Sequence, residues 1–463
     1  MRNVDSIVQA LGSCETIPRV GKVSQFYGLA VESIGPDVFL GELCEIYPPA
    51  GVASVVAEVV GFRDGKVMLM PYGSMHGVYI GSEIIATGRS ASVPVGPELM
   101  GRVVDAFCQP IDGGDTVNTV ETYPLYPEPI NPLLRAPIEQ TFDTGVAVID
   151  SFLTLGQGQR MGVFSGSGVG KSTLLGMVAK NSQADVNVIA LIGERGREVI
   201  DFVRNSLGDD GLAKSVLIVA GADQPALVRT HAAFAATALA EYFKDQGQQV
   251  FLAMDSVTRF AIAQREIGLA IGEPPTARGY TPSTFSLLPR LAERAGNFIS
   301  GGSITGLYTV LVEGDDFNEP ITDNLRAILD GHVVLSRKMA NQGQLPAVSV
   351  LESISRLQSD LLTDEEQQLV RRALKLFSIY EENNDLVQMG VYQQGRNIEH
   401  DEALAVIPKI QDLLAQKPSE VVTRDALMVA LATMLNTPEN GPATSPSAKN
   451  DAGRTALNQS RRG

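Results

Sequence analysis

The spacing of apolar and polar positions changes character twice along the chain. From about residue 21 to 93, short runs rich in Val and Ile are cut by glycines, the texture of β-strands joined by tight turns. Arg63, Asp64 and Gly65 separate the apolar runs 55–62 and 66–70, which predicts a hairpin. A small closed β-barrel buries such strands without leaving edges. Beyond a proline- and glycine-rich connection over 94–137, the rhythm becomes that of βαβ units. Continuous apolar runs at 161–164, 186–192, 216–220 and 250–254 predict buried parallel strands. Helical periodicity over 171–179 and 230–246 alternates with them, the second helix stopping at Gly247. A third pattern begins where Thr363 and Glu366 are spaced as a capping box ahead of a helix at 369–380. Helices then continue to about 435.

These rhythms divide the chain into five stretches. Residues 1–19 predict a partner-binding segment, with Val4, Ile7, Val8 and Leu11 on one face of a short helix, although a frayed terminus suits the pattern equally. Residues 20–93 form the β-barrel, 94–362 an α/β domain with a mostly parallel sheet, and 363–435 a helical domain. Residues 436–463, poor in apolar residues, predict a disordered tail.

Charge and cysteine content narrow the class. With 37 basic and 53 acidic residues the net charge is −16, which argues against sequence-independent nucleic-acid binding. Cys14, Cys44 and Cys108 are odd in number and widely spaced, so they build neither a disulfide framework nor a metal site. His76, His231, His332 and His400 are equally scattered. No apolar run reaches membrane-spanning length, and the N-terminus lacks signal-peptide character. The expected location is the cytoplasm, with any membrane association peripheral and through partners.

The chemistry concentrates around the run SGSGVGKS at 165–172, between a predicted strand and a predicted helix. Gly166, Ser167, Gly168, Val169 and Gly170 form a loop whose backbone N–H groups can turn inward to cradle a polyphosphate at a helix N-terminus. Lys171 is placed to reach the β/γ oxygens and Ser172 to ligate Mg²⁺, with Thr173 completing the nucleotide-binding set. The pattern departs from a standard P-loop only at Ser165, where a glycine usually opens the loop. The apolar run VFLAMD ends in Asp255, a carboxylate at a strand end that holds Mg²⁺ directly or through water. A second such run ends in Glu194, placed to polarise an attacking water. Glu198 reads as an ion-pair partner among Arg195 and Arg197, and Arg195 also counts in the catalytic set. ATP and Mg²⁺ are the implied substrate and cofactor.

Several longer runs carry a resemblance to a known family. GERGRE at 193–198, DQPAL at 223–227, DSVTRF at 255–260, QREIGLAIGEPP at 264–275 and GHVVLSR at 331–337 resemble the flagellar type III export ATPases. Those enzymes are relatives of the catalytic subunit of rotary F-type ATP synthases, and the likeness spans roughly residues 20 to 435. It implies an N-terminal β-barrel, a central RecA-like domain, a helical C-terminal domain, and a homohexamer with ATP at each subunit interface. By the same likeness Arg356, ending PAVSVLESISR at 346–356, is the arginine that completes a neighbour's site, worth roughly 10³–10⁵ in rate. A structural salt bridge is the alternative role for Arg356. Leu345 stands where an adenine-packing aromatic is frequent, Ser349 where Asp, Asn or His is usual, and Tyr392 matches the other adenine-contacting aromatic or is structural.

The implied partners are a stator-like export regulator, a coiled-coil protein resembling a central stalk, the export gate and substrate–chaperone complexes, with no nucleic acid. The resemblance thus implies an ATP-hydrolysing motor of flagellar protein export. The equivalent ATPase of a virulence injectisome is the alternative, and a rotary ATP-synthase catalytic subunit a remoter one. A non-catalytic nucleotide-binding ring subunit would lack Glu194, and a nucleic-acid motor would want a basic pore that a chain at −16 does not supply.

Overall fold

Six strands near the N-terminus close on themselves: β1 (Val20–Tyr27), β2 (Ala30–Ile34), β3 (Glu42–Tyr47), β4 (Val55–Arg63), β5 (Lys66–Pro71) and β6 (Glu83–Ser90). They run in the order β1-β2-β5-β4-β3-β6, and β6 returns to pair antiparallel with β1. Alternate side chains, among them Val23, Val31, Ile46, Val59, Leu69 and Ile84, fill the interior. The hairpin expected at Asp64 and Gly65 forms with both residues at positive φ (50° and 74°), the primed turn that matches strand twist.

The computed structural model describes residues 17–436 except 50, 313, 315, 389–391, 393, 394 and 396, and the side chains of 383–388. The helix expected within 1–19, Cys14 and the tail beyond 436 therefore lie outside the described residues, apart from residues 17–19.

The connection 94–137 does more than link. Its three residues Val103–Asp105 form β7, which pairs in parallel with the strand Ser215–Gly221 and extends the central sheet. So short a run leaves no periodicity to read. Residues Ser92–Val95 and Glu121–Pro124 make a separate antiparallel ribbon.

The central sheet continues with β8 (Arg160–Ser165), β9 (Val186–Glu194), β10 (Ser215–Gly221), β11 (Gln249–Asp255), β12 (Ser303–Leu311), β13 (Gly331–Leu335) and β14 (Val348–Ser355). Their order is β14-β13-β8-β12-β11-β9-β10-β7. All pairs on this path are parallel except β13 with β14, and the two-residue Gly296–Asn297 pairs antiparallel with β12 off it. Because β8, β12, β11 and β9 pair in parallel, their carboxyl ends share one edge, where parallel sheets place ligands.

Helices cover both faces. Among them are α1 (Lys171–Asn181), α2 (Ala226–Asp245) and α3 (Val257–Ala270). Alanines 232, 233, 235, 236, 238 and 240 of α2 are fully buried, their small side chains letting the helix lie close against its neighbours. The C-terminal helices are α4 (Asp364–Gln388), α5 (Ile398–Leu414) and α6 (Arg424–Asn436). The capping box closes as expected: the Thr363 N–H donates to Glu366 Oε2 at 2.9 Å and the Glu366 N–H to Thr363 Oγ1 at 3.3 Å. Helix α4 starts earlier and ends later than the expected 369–380. Val370, Ala373, Leu376 and Phe377 of α4 share a core with Phe152 and with the α1 face of the sheet. Among the described residues no helix is long and apolar enough to cross a membrane.

Candidate active site

Strand β8 ends at the buried Ser165 and hands the chain to the glycine-rich loop. Gly168 and Gly170 take φ values of 77° and 101°, which side-chain-bearing residues rarely adopt. Gly170 caps α1 without any side-chain bond to the first turn, leaving those amides for another acceptor. Ser172 and Thr173 are exposed on that first turn.

Lys171 is the centre of a three-residue cluster. Its Nζ lies 2.5 Å from Asp255 Oδ1 and 3.7 Å from Glu194 Oε1. The register of β9 against β11, with Leu191 opposite Asp255, brings the two carboxylates to the same edge. Asp255 is 2 % exposed and accepts a hydrogen bond from Thr309 Oγ1 of β12 at 2.8 Å. At the start of α3, the Thr258 hydroxyl accepts from the Leu311 N–H at 2.8 Å and ties the ends of β11 and β12 together.

Glu194 projects from a sharp turn. Gly193, at φ 68°, supplies the left-handed backbone, and a Cβ there would stand 3.1 Å from the side chain of Arg259. Burial, a hydrogen bond with Glu198 and the charge of Asp255 raise the Glu194 carboxyl to about 7, against the opposing pull of Lys171. Glu198 shifts the other way, mainly through the same hydrogen bond. The pair therefore shares a proton near neutrality, with Glu194 the more basic member. Arg195 is exposed and rests 3.8 Å from Glu198, while Arg197 pairs with Asp201 at 3.7 Å.

A cleft of about 270 Å³ adjoins the loop. Gly168, Val169, Gly170 and Thr173 form one wall, Leu345 and Pro346 another, and Gln416 and Pro418 a third. Leu345 keeps half its surface exposed in this arrangement. Tyr392 does not line the cleft: its hydroxyl donates to Asp401 Oδ1 at 2.8 Å and its ring stacks on His400.

Arg356 is far from the cluster in its own chain. It follows β14, whose end pairs with the start of β13, and its N–H donates to the Asp330 carbonyl at 2.9 Å. Asp330 in turn accepts from Arg160, the first residue of β8. The six-residue length of β8 thus separates Arg356 from the loop, ~20 Å at strand rise. Its guanidinium donates to the Arg326 carbonyl at 2.8 Å and is exposed.

Three features of the site escaped sequence reasoning. Arg259 sits inside the run DSVTRF at 255–260, but nothing in its spacing shows that it packs on Gly193. Its Nε is buried without a hydrogen-bond partner among the described residues. Thr309 and Gln416 carry no local signal, since each meets the site only through chain pairing. Gln416 accepts from the Ala147 N–H at 2.9 Å, donates to the Gly145 carbonyl at 2.8 Å, and through its own N–H reaches Leu345 O at 3.0 Å.

Family models match three parts of the chain: the beta-barrel domain of the ATP synthase alpha/beta family at 23–88, its nucleotide-binding domain at 145–355, and the T3SS EscN ATPase C-terminal domain at 362–433. A flagellum-specific ATP synthase of Bacillus subtilis is 48% identical over 94% of this chain and 99% of its own length. The chain belongs to the flagellar and type III secretion branch of the ATP synthase alpha/beta family. A type 3 secretion system ATPase of Xanthomonas euvesicatoria, 47% identical over 87% of this chain and 91% of its own, stands in the same family. So does the assembled ATPase EscN of enteropathogenic E. coli, which has been solved with its central stalk EscO as well. Without the stalk it superposes at a TM-score of 0.84, with 40% identity, over 90% of this chain and all of that one. The glycine-rich loop, Glu194 and Asp255 all fall within the family's nucleotide-binding domain, and the third wall of the cleft comes from its C-terminal domain.

Proposed function

We propose that this chain is the ATP-hydrolysing motor of a flagellar type III protein export apparatus, coupling hydrolysis to the release and unfolding of exported proteins and their chaperones. The observation that carries this reading is the meeting of Lys171, Glu194 and Asp255 beside an anion-ready helix N-terminus, with Arg356 held at the opposite edge. One edge is equipped to bind and cut a triphosphate, and the other presents an arginine to a neighbouring copy. A closed ring joins the two edges, so a homohexamer is the natural working form.

The residues fit both ATP and Mg²⁺. Loop amides and the α1 N-terminus hold the phosphates, Lys171 moves from Asp255 to their β/γ oxygens, and the cleft beside Thr173, Leu345 and Pro346 takes the adenine. Ser172 and Asp255 offer hard oxygen donors, and among the described residues no group of three or more His, Cys, Asp or Glu could hold an ion by itself. That suits Mg²⁺, which is normally bound by one or two protein oxygens together with substrate phosphates. Bound there, Mg²⁺ supplies charge neutralisation at the phosphates. Glu194 in its ionised form accepts a hydrogen bond from the attacking water and aligns it, with Arg195 contributing positive charge nearby. Arg356 of the adjacent subunit completes the site. Tyr392 is a structural tyrosine in this reading, or reaches the adenine only after its bond to Asp401 opens.

The chain works in the cytoplasm, peripheral to the inner membrane, held by a stator-like regulator at residues 1–19 and engaged by a central stalk as EscN is by EscO. ATP turnover measured against protein concentration tests the core of this. A steep rise, abolished by Lys171→Ala, is expected; turnover per chain independent of concentration refutes shared sites. The ATPase of an injectisome is the second reading, favoured by the Xanthomonas relative, and rescue of motility in a strain lacking its flagellar export ATPase separates the two.

A further inference from the structure

Thr309 is wholly buried in the middle strand of the site, where Leu307 and Val310 on either side are apolar. Valine would match its shape, so the hydroxyl needs a reason to be there. That hydroxyl points across the β11–β12 pairing to Asp255 Oδ1, 2.8 Å away, the same oxygen that Lys171 approaches at 2.5 Å. Two donors therefore converge on one carboxylate oxygen. They differ in what becomes of them. Lys171 is a long, charged side chain for which a triphosphate competes. Thr309 is short, β-branched and fixed in a strand, and it has nowhere else to go.

We propose that Thr309 is a positioning residue for Asp255, pinning Oδ1 so that the other carboxylate oxygen keeps its aim at a divalent cation after Lys171 has moved to the phosphates. A neutral donor fixes the carboxylate without cancelling its charge, which the lysine ammonium does. The departure of Lys171 thus turns a neutralised, ion-paired carboxylate into a charged, oriented one, and cation affinity rises when nucleotide arrives. This rests on the metal role given to Asp255 above.

The test is nucleotide binding rather than turnover. A fluorescent ADP is titrated into the full chain, first in EDTA and then with increasing Mg²⁺, and Mn²⁺ binding to the ADP complex is followed by electron paramagnetic resonance. Thr309→Val should leave metal-free ADP affinity within about two-fold and weaken the cation's half-saturation about 10–100-fold, the usual range for losing a partner of a metal ligand. Thr309→Ser should restore most of it. Unchanged half-saturation in Thr309→Val overturns the proposal, as does an equal loss of metal-free ADP affinity, which would mark a packing role. Should Thr309→Val not fold, Thr309→Cys, of similar size but a weaker donor, carries the same comparison. If Asp255→Asn leaves the cation dependence untouched, the metal role of Asp255 falls first and this proposal with it.

Discussion

Replacing Glu194 by Gln should stabilise the nucleotide-free protein at high pH while removing hydrolysis. The Glu194 side chain is 13 % exposed and its carboxyl is raised from 4.5 to about 7 by burial, by the hydrogen bond with Glu198 and by Asp255. A carboxyl whose folded value lies above its unfolded one contributes most to stability below pH 4.5, and that contribution disappears as pH rises through 7. Above pH 7 the wild type must hold an ionised Glu194 beside Asp255 and Glu198, whereas glutamine holds no charge and can still donate to Glu198. Between pH 5.5 and 8.5 the gap should widen by ~1–2 kcal/mol, reduced from the full shift because Glu198 moves oppositely. For a domain of this size that is ~2–6 °C in Tm. Thermal unfolding of both proteins without nucleotide at the two pH values reads it directly. In parallel, wild-type kcat/KM for ATP should fall as pH drops through about 7, because the water-orienting form is the ionised one. A Tm gap that stays constant or narrows as pH rises would refute the electrostatic account of Glu194.

Three further outcomes follow from the geometry. Lys171→Ala and Arg356→Ala chains, each inactive alone, should regain turnover when mixed, since about a quarter of the sites in random rings then pair an intact loop with an intact arginine; no recovery in rings shown to be mixed would contradict sharing. Gly193→Ala forces a side chain into a left-handed turn and toward Arg259, and should cost ~1–3 kcal/mol in thermal or denaturant unfolding together with most of the hydrolysis. Gln416→Ala keeps the backbone bond to Leu345 but strands the buried Ala147 N–H and Gly145 carbonyl and removes a side chain that lines the cleft, so stability should drop by ~1–3 kcal/mol and nucleotide affinity should weaken in direct titration.

Local signals carried much of this protein. The short Val- and Ile-rich runs cut by glycines over 21–93 predicted strands that do close into a barrel, because β-branched residues between turn formers suit a pleated, half-buried surface. The loop around Lys171, the strand ends at Glu194 and Asp255 and the capping box at Thr363 were equally legible, since each is built within a dozen consecutive residues. Periodicity says which face is buried but not which strand lies beside which. Strand β12 had to insert between β8 and β11 before Thr309 could meet Asp255, and Gly193 had to turn before Arg259 could approach. Gln416 lies more than 250 residues from the Ala147 amide it accepts from. The three residues of β7 are too short to announce a strand, and only the open edge of β10 recruits them. Hydrogen-bond pairing and domain contact decide such neighbours. Those energies belong to the folded chain as a whole, which is why the sequence named the chemistry and the tertiary structure set its geometry.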